Sequence, residues 1–429
     1  MAAVIDVALL RTDPEGLAAA LRRRHLDVDV AALAELDEHR RRVRVQAEEA
    51  RAEQKQSGKR IAGLEGKAKQ QAIAAAGELA ERYRELLAEA DEADAAFEER
   101  WAALPNPPHP TAPDGRTEED NLEVKTWGRV PDPDGDARDH VDLGIALDIL
   151  EIERAAKVSG SRFAYLKGRA VILEFALVRY AFDKLMAGGF TPVVPPVLVR
   201  SRALFGTGFF PGARDQVYAV GSNTADGEPI DPDDLYLAGT SEVPLAGMHM
   251  DEILEELPVR YAGFSTCFRR EAGTYGKDTR GMFRVHQFDK VEMFSFVHPD
   301  RSWDEHEFLL SIEEDIVRGL ELPFRVVNVC TGDLGDSAAK KYDIEAWMPG
   351  QQAYREITSC SNTTDYQARR LMIRFRDEDG TRMVHTLNGT AVAVGRTLIA
   401  LLENHQQPDG SVLIPAALQP YAGFDRLTP

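Results

Sequence analysis

The stretch Cys267-Phe-Arg-Arg-Glu-Ala-Gly-Thr-Tyr-Gly-Lys-Asp-Thr-Arg-Gly-Met-Phe-Arg-Val-His-Gln-Phe-Asp-Lys-Val-Glu292 is the segment from which the fold is read. It reads as a strand ending at Phe268, a loop rich in glycine and cations (Gly273, Gly276, Lys277, Arg280, Gly281), and a returning strand. On the returning strand the period of two puts Arg284, His286, Phe288, Lys290 and Glu292 on one face. A row of charge around an aromatic ring in the middle of a domain is costly unless a ligand or partner neutralises it. Arginine at a strand end beside a glycine loop suits bidentate phosphate contact. The plainer alternative is a solvated hairpin laced with ion pairs.

Three further blocks carry similar chemistry. From His385 the chain runs through Asn388-Gly389 as a short strand into an apolar helix ending near Asn404, and Arg396 is the lone charge in its first turns. A guanidinium there needs an anion, either a triphosphate or a buried carboxylate. In Arg355-Glu-Ile-Thr-Ser-Cys-Ser-Asn362 a carboxylate is followed by hydroxyls three and five residues on, hard oxygen donors suited to a Mg²⁺ that also holds phosphates. Gly239-Thr-Ser-Glu-Val-Pro244, after Leu235-Tyr-Leu237, places two hydroxyls and a carboxylate at a strand end, a cradle for a small cationic ligand. A P-loop is missing, and Gly206-Thr-Gly208-Phe-Phe-Pro-Gly212 has the wrong spacing for a dinucleotide fingerprint.

Ahead of these blocks the pattern is helical. Residues 12–25 read as a helix capped by Asp13 with Pro14 at its first position. From about Asp29 to Leu104 there is no proline, and apolar residues recur at spacings of three and four. In the second half the seam is Ile73, Ala76, Ala80, Tyr83, Leu87, Ala90, Asp94, Phe97, Trp101, Leu104; in the first half it is the weaker Leu33, Leu36, Arg40, Val43, Ala47, Ala50, Gln54, Ser57, Ile61, Leu64. Two antiparallel helices joined near Gly63–Gly66 are predicted, each about 50 Å long, forming an arm. Pro105, Pro107, Pro108 and Pro110 then end the helical pattern. The predicted organisation is residues 1–104 with the arm at about 29–104, a proline-rich linker 105–115, and a mixed helix and strand domain 116–429. In that domain a helix is predicted near 168–188, extended chain over 190–200, strands around 260–268, 283–297 and 383–388, and a covering polar loop between 212 and 234.

Composition sets the outer limits. The 429 residues, 44% hydrophobic and 28% charged, describe a globular chain of two or three domains. A formal charge of −20 argues against a polyanionic partner only if charge is spread evenly. It is not: residues 39–69 hold ten Lys/Arg against four Asp/Glu, while residues 78–100 hold three against nine. The outgoing helix is thus a basic rod, unless the two helices merely neutralise each other. Cys267, Cys330 and Cys360 are dispersed, so neither a disulfide framework nor zinc is expected. The opening residues carry Asp6 and no basic region before a short apolar run, unlike a secretory signal, and no apolar run is long enough to span a membrane. A cytoplasmic, full-length chain without a membrane partner is expected.

In order along the chain, Thr-Ser-Glu, Phe-Arg-Arg-Glu with its loop, Asp-Thr-Arg-Gly…His-Gln-Phe-Asp-Lys-Val-Glu, Glu-Ile-Thr-Ser-Cys-Ser-Asn and Leu-Asn-Gly-Thr-x₄-Gly-Arg resemble the motifs of class II aminoacyl-tRNA synthetases. With the long N-terminal arm, and with Ala155–Phe163 and Glu403–Ser411, they resemble the bacterial type of the seryl-tRNA synthetase family over essentially the whole chain. The resemblance implies an α+β fold: an antiparallel β-sheet catalytic core with flanking helices, plus an N-terminal antiparallel helical coiled-coil hairpin. It implies a homodimer through the motif 1 helix and the strand containing Pro195. It also implies ATP-dependent activation of L-serine and transfer to tRNA(Ser) and tRNA(Sec), with the arm gripping the tRNA.

Residue by residue, the resemblance implies that Arg269 holds the ATP α-phosphate and Arg396 the γ-phosphate, the two catalytic cations. Glu271 takes the adenine amino group, Phe288 stacks on adenine, and Val285 touches it through its backbone. Arg270, Ile357 and Thr358 complete the nucleotide site, Glu356 and Ser359 ligate Mg²⁺, and Thr240, Ser241, Glu242, Glu292 and Thr390 form the serine pocket. Thr358 and Thr390 stand where serine is the more frequent residue, each keeping the hydroxyl and adding a methyl. No nucleophilic side chain is required. A regulatory paralogue is disfavoured by the intact Arg269, Glu271, Glu356 and Arg396, and a ligase acting on a carrier protein would be expected to lack the arm.

Overall fold

The structure, a computed structural model, describes residues 5–130, 137–221, 235–273, 276, 278, 280–378 and 380–429. Most of the polar loop (222–234) and Lys277 of the cationic loop lie outside the described residues. The chain divides after Leu104 into two compact units.

The first unit is helical. Helices α1 (Val7–Thr12) and α2 (Pro14–Arg23) precede α3 (Val30–Ile61) and α4 (Gly66–Ala102). Asp13 caps α2, accepting from the Gly16 N–H at 2.9 Å with Pro14 at N1, and Asp29 caps α3 through the Ala32 N–H. Helices α3 and α4, of 32 and 37 residues, form the hairpin, and Leu33, Val43, Ala47 and Ala50 are buried with Ala90, Ala93, Phe97 and Trp101. The seam departs from the expected register at several places, among them Asp37, buried beside the half-buried Leu36. Ala93 is buried where Asp94 was expected, and Ile73 is 52% exposed while Ala72 is half-buried. A straight helix of 3.6 residues per turn drifts against a strict heptad, so the buried stripe moves by a residue over several turns. Asp94 instead pairs with Arg40 and Arg44 across the hairpin.

In the second unit an eight-stranded sheet is formed by β1 (Leu122–Trp127), β2 (Thr191–Val193), β3 (Val259–Phe268), β4 (Gln287–Val297), β5 (Phe324–Asn328), β6 (Lys340–Met348), β7 (Ala353–Asn362) and β8 (His385–Ala393). Their spatial order is β1-β5-β6-β7-β8-β4-β3-β2, antiparallel throughout except that β2 runs parallel to β3. Helices α5 (Arg169–Ala187), α6 (Glu242–Gly247), α7 (Ser302–Gly319), α8 (Tyr366–Leu371) and α9 (Val394–Asn404) surround it. Val291 and Met293 of β4 enter the main core, while their alternating neighbours Phe288, Lys290 and Glu292 face the other way.

Two expectations are corrected. Strand β4 begins at Gln287, so Arg284 and His286 precede it rather than lie on it. Asn388-Gly389 is not the end of a short strand: β8 continues to Ala393, because Asn388 and Gly389 are paired on both sides, to Phe294 and Met293 of β4 and to Ser361 and Cys360 of β7. The segment expected as a linker is fastened to the second unit. The Asn106 side chain donates to the carbonyls of Ser337 (2.9 Å) and Thr363 (2.8 Å), and the His109 N–H donates to Ala339 O at 2.8 Å.

A buried carboxylate organises the base of the hairpin. Asp37, 1% exposed, accepts from Arg11 (2.7 and 2.9 Å) and from Arg40 (2.9 Å). Burial alone would raise its pKa, but the hydrogen bonds from the two guanidinium groups outweigh it and hold the carboxyl below its usual range. Asp37→Ala is expected to lower the stability of the helical unit by about 2 kcal/mol, the scale of hydrogen bonds to a charged group. Urea unfolding of the intact chain followed by helical circular dichroism checks this, and no shift of the midpoint would contradict it.

Candidate active site

The strands position a cavity of about 150 Å³ whose wall includes Thr240, Glu242, Arg269, Glu271, Val285, Phe288, Glu292, Glu356, Ile357, Ser359, Thr390 and Arg396. Twelve of the fifteen residues expected at the site are therefore brought together from segments spread over 157 residues of sequence. Phe209, Met282, Phe283, Arg284, Lys290 and Asn388 share the wall.

One end of the cavity is lined by buried polar side chains. Glu292 on β4 stands opposite Thr390 on β8, and the Thr390 hydroxyl donates to Glu292 Oε2 at 3.3 Å. Lys290, two residues earlier on the same face, forms an ion pair with Glu292 and donates to Thr240 Oγ1 at 2.8 Å. Thr240 and Glu242 reach this point because α6 lies close against β3 at Gly263. A Cβ there would stand 2.8 Å from Leu245 Cδ1 and 3.0 Å from Ser241 Cβ. Burial and the nearby Glu292 push Glu242 up to about 7, against the opposing effects of Gln367, Lys290 and Arg269.

The outer half is built from cations and rings. The Arg269 guanidinium lies 5.2 Å from the Phe288 ring centroid and its Nε donates to Gly239 O at 3.2 Å. Arg396 lies 4.7 Å from the Phe283 ring and 3.3 Å from Glu356 Oε1, and donates to Glu356 O at 3.0 Å. Glu271 sits at φ +50°, a left-handed conformation strained for a non-glycine residue, and accepts from Arg284 at 2.8 Å. The Gln216 side chain clamps the start of this loop, accepting from Ala272 N–H and donating to Ala272 O, each at 3.1 Å.

Glu356 and Ser359 are three residues apart, and a regular strand would send them to opposite faces. A bulge places both on the cavity: Ile344 and Glu345 of β6 pair with Thr358 and Glu356, leaving Ile357 as an extra residue. Burial disfavours the Glu356 carboxylate, but Arg396, Lys341 and Arg269 outweigh it and hold the group ionised well below the usual carboxylate range. A carboxylate and a hydroxyl side by side fit a hard cation. Among the described residues no group of three or more His, Cys, Asp and Glu side chains is arranged to hold a metal ion alone. A cation between Glu356 and Ser359 would therefore complete its shell with phosphate oxygens and water.

Three expected residues point elsewhere. Thr358, on the far side of the bulge, donates to Glu313 Oε2 of α7 at 3.0 Å beneath the sheet. Ser241 is fully buried against Ser265, their hydroxyl oxygens 2.7 Å apart. Arg270 is exposed, and its N–H donates to Gln216 O at 2.9 Å. Lys290 carried a signal, its place on the period-two face, but no assigned role. Phe283 and Asn388 lie inside the quoted motifs without an assigned role, and Gln216 had no signal, since only the folded chain brings it to the site.

Residues 4–108 match the family described as the seryl-tRNA synthetase N-terminal domain, and residues 227–405 the tRNA synthetase class II core domain (G, H, P, S and T). The chain is 52% identical over 431 residues to a serine-tRNA ligase of Acidothermus cellulolyticus, covering 99% of this chain and 100% of that protein. A serine-tRNA ligase of Streptomyces coelicolor is 51% identical over 426 residues, covering 98% of each. The crystal structure of seryl-tRNA synthetase from Pyrococcus horikoshii complexed with ATP superimposes with a TM-score of 0.90 at 42% identity, covering 99% of both chains. The Phe-Arg-Arg-Glu block, the antiparallel core and the helical hairpin thus have one explanation: the chain belongs to the seryl-tRNA synthetase family of class II aminoacyl-tRNA synthetases.

Proposed function

We propose that this chain is a serine-tRNA ligase that activates L-serine with ATP and transfers it to the 3′ end of tRNA(Ser) and tRNA(Sec). The observation that carries this reading is one cavity in which three arginines, three aromatic rings and an acid-hydroxyl pair adjoin a buried pocket of carboxylates and hydroxyls. In this reading the nucleotide lies along the outer half, its base against Phe288 and Val285 and its amino group toward Glu271, which exchanges its Arg284 partner for the ligand. Arg269 and Arg396 take the phosphates, and Glu356 with Ser359 would hold a Mg²⁺, which would neutralise part of their charge. The serine carboxylate attacks the α-phosphorus in line, pyrophosphate leaves, and the terminal ribose hydroxyl of tRNA then displaces AMP from seryl-adenylate. Catalysis is orientation and charge stabilisation by these fixed cations.

Selectivity follows from the inner pocket. The serine ammonium meets Glu242 and Thr240, and its hydroxyl meets Glu292 and Thr390. Alanine brings no hydroxyl to Glu292 and Thr390, so it forgoes the hydrogen bonds that serine adds to a pair already held by Lys290 and by each other, and serine is favoured. Threonine is excluded by volume alone.

The tRNA grip is assigned to the hairpin. Arg51, Lys55, Lys59, Arg60, Lys67 and Lys69 are exposed and make no ion pair among the described residues, unlike Arg40 and Arg44 at the base. That leaves a basic stretch available to phosphates on an otherwise acidic chain. Exposed Ile172 (47%) and Phe175 (59%) of α5, with Val194 (80%), support a homodimer through this face. No helix among the described residues is long and apolar enough to cross a membrane, and the cytoplasm is the proposed location.

Serine-dependent exchange of pyrophosphate into ATP tests the first step, with threonine and alanine in parallel; no exchange with serine would sink the assignment. Deleting residues 30–103 is expected to leave exchange intact while tRNA charging collapses, and unaffected charging would refute the role given to the hairpin. The pH dependence has a definite sign. With Glu242 pushed up to about 7 by burial and Glu292, protonation below pH 7 removes the ammonium's partner. The serine KM is expected to rise about tenfold from pH 8 to pH 6, and a flat profile would contradict it.

A further inference from the structure

Behind the inner pocket, outside the cavity wall, lies a buried amide to which no role has been given. Gln367, on the short helix α8, is fully buried. Its Nε2 donates to Glu242 Oε1 at 2.7 Å, and its Oε1 accepts from the Thr386 hydroxyl of β8 at 2.9 Å. Thr386 is held in turn by Thr363, whose hydroxyl lies 2.5 Å from its own and 2.8 Å from its carbonyl oxygen. The Thr386 bond occupies the amide oxygen, so the NH₂ is the end presented to Glu242.

The arrangement treats the two oxygens of Glu242 differently. Oε1 accepts from Gln367 and also from Asn388 Nδ2 at 2.9 Å. Oε2 accepts no hydrogen bond among the described residues, although Glu242 lines the cavity. A carboxylate fixed through one oxygen has its second lone-pair set free for a ligand and no freedom to rotate away. Asn388 lines the cavity, whereas Gln367 is sealed behind it.

We propose that Gln367 is a positioning residue for amino-acid recognition, its Thr386-anchored amide pinning Glu242 Oε1 so that Oε2 is aimed at the substrate ammonium. The inference rests on the serine-pocket reading of Glu242. It goes beyond that reading by assigning a residue that touches neither substrate.

A purely structural amide would alter stability alone. A positioning amide also alters serine affinity and its pH dependence, because the Gln367 hydrogen bond favours the ionised form of Glu242. The other groups facing Glu242 are Lys290 and Glu292 from β4, Arg269 beyond β3 and Asn388 from β8, and all remain in the variant. The test uses the full chain in serine-dependent pyrophosphate exchange. Gln367→Met, which keeps the length and removes the donor, is expected to raise the serine KM about tenfold. The ATP KM should stay within about twofold, and the pH below which the serine KM climbs should move up by about one unit. Thr386→Val, which frees the amide without removing it, should raise the serine KM in the same direction by a few-fold, and it carries the test if Gln367→Met does not fold. Glu242→Ala separates the two levels of the reading. If it abolishes serine dependence while Gln367→Met, or Thr386→Val in its place, leaves the serine KM and pH profile unchanged, the positioning role is overturned and the pocket stands. If Glu242→Ala leaves the serine KM unchanged, the pocket reading itself fails.

Discussion

The ion pair of Lys290 and Glu292, buried two residues apart on β4, is the constraint around which the rest of the cavity is arranged. Two opposite charges taken out of water on one strand face survive only where every remaining hydrogen-bonding position is met. Thr240 accepts from Lys290 on one side and Thr390 donates to Glu292 on the other, so α6 and β8 are both tied to β4. The second carboxylate of the inner pocket, Glu242, has no ion-pair partner among the described residues and is held by the amides of Gln367 and Asn388. The result is a pocket in which one acid is matched by a resident lysine and the other is left to be matched by a ligand.

Irregularity in the sheet does the rest. The bulge at Ile357 shifts the pleat of β7 by one residue, so that Glu356 and Ser359 share a face while Thr358 turns beneath the sheet to Glu313. A second register shift lies between β4 and β8, where Val291 and Glu292 pair with Val392 and Thr390. It aligns the Thr390 hydroxyl with Glu292. Bulges re-aim side chains at the cost of one ladder position, and here they set which hydroxyls belong to the cavity and which to the core.

The helical hairpin and one face of the cavity were legible from local rules, while the antiparallel core and most of the expected site residues were implied by the resemblance of the motifs to a known family. Strand alternation placed Phe288, Lys290 and Glu292 together, Asp13-Pro14 marked a helix start, and apolar spacing marked the hairpin. What failed did so where distant contacts overrule those rules. Asn388-Gly389 has the composition of a turn but lies between two paired strands. Asp37 falls beside the apolar seam, yet it is buried because Arg11, from a separate helix, reaches it. Ser241 sits between two cavity residues in sequence, and at the start of α6 its side chain turns to Ser265 instead.

The sequence by itself determined the elements, the family to which the chain belongs, and the residue types that meet in the cavity, because periodicity and motif spacing are properties of contiguous chain. Only the tertiary structure decided which oxygens face inward, how Gln216 clamps Ala272, and how Gln367 reaches Glu242 from 125 residues away. Those outcomes depend on strand register and on hydrogen bonds between segments that are neighbours in space alone, and no local pattern encodes them.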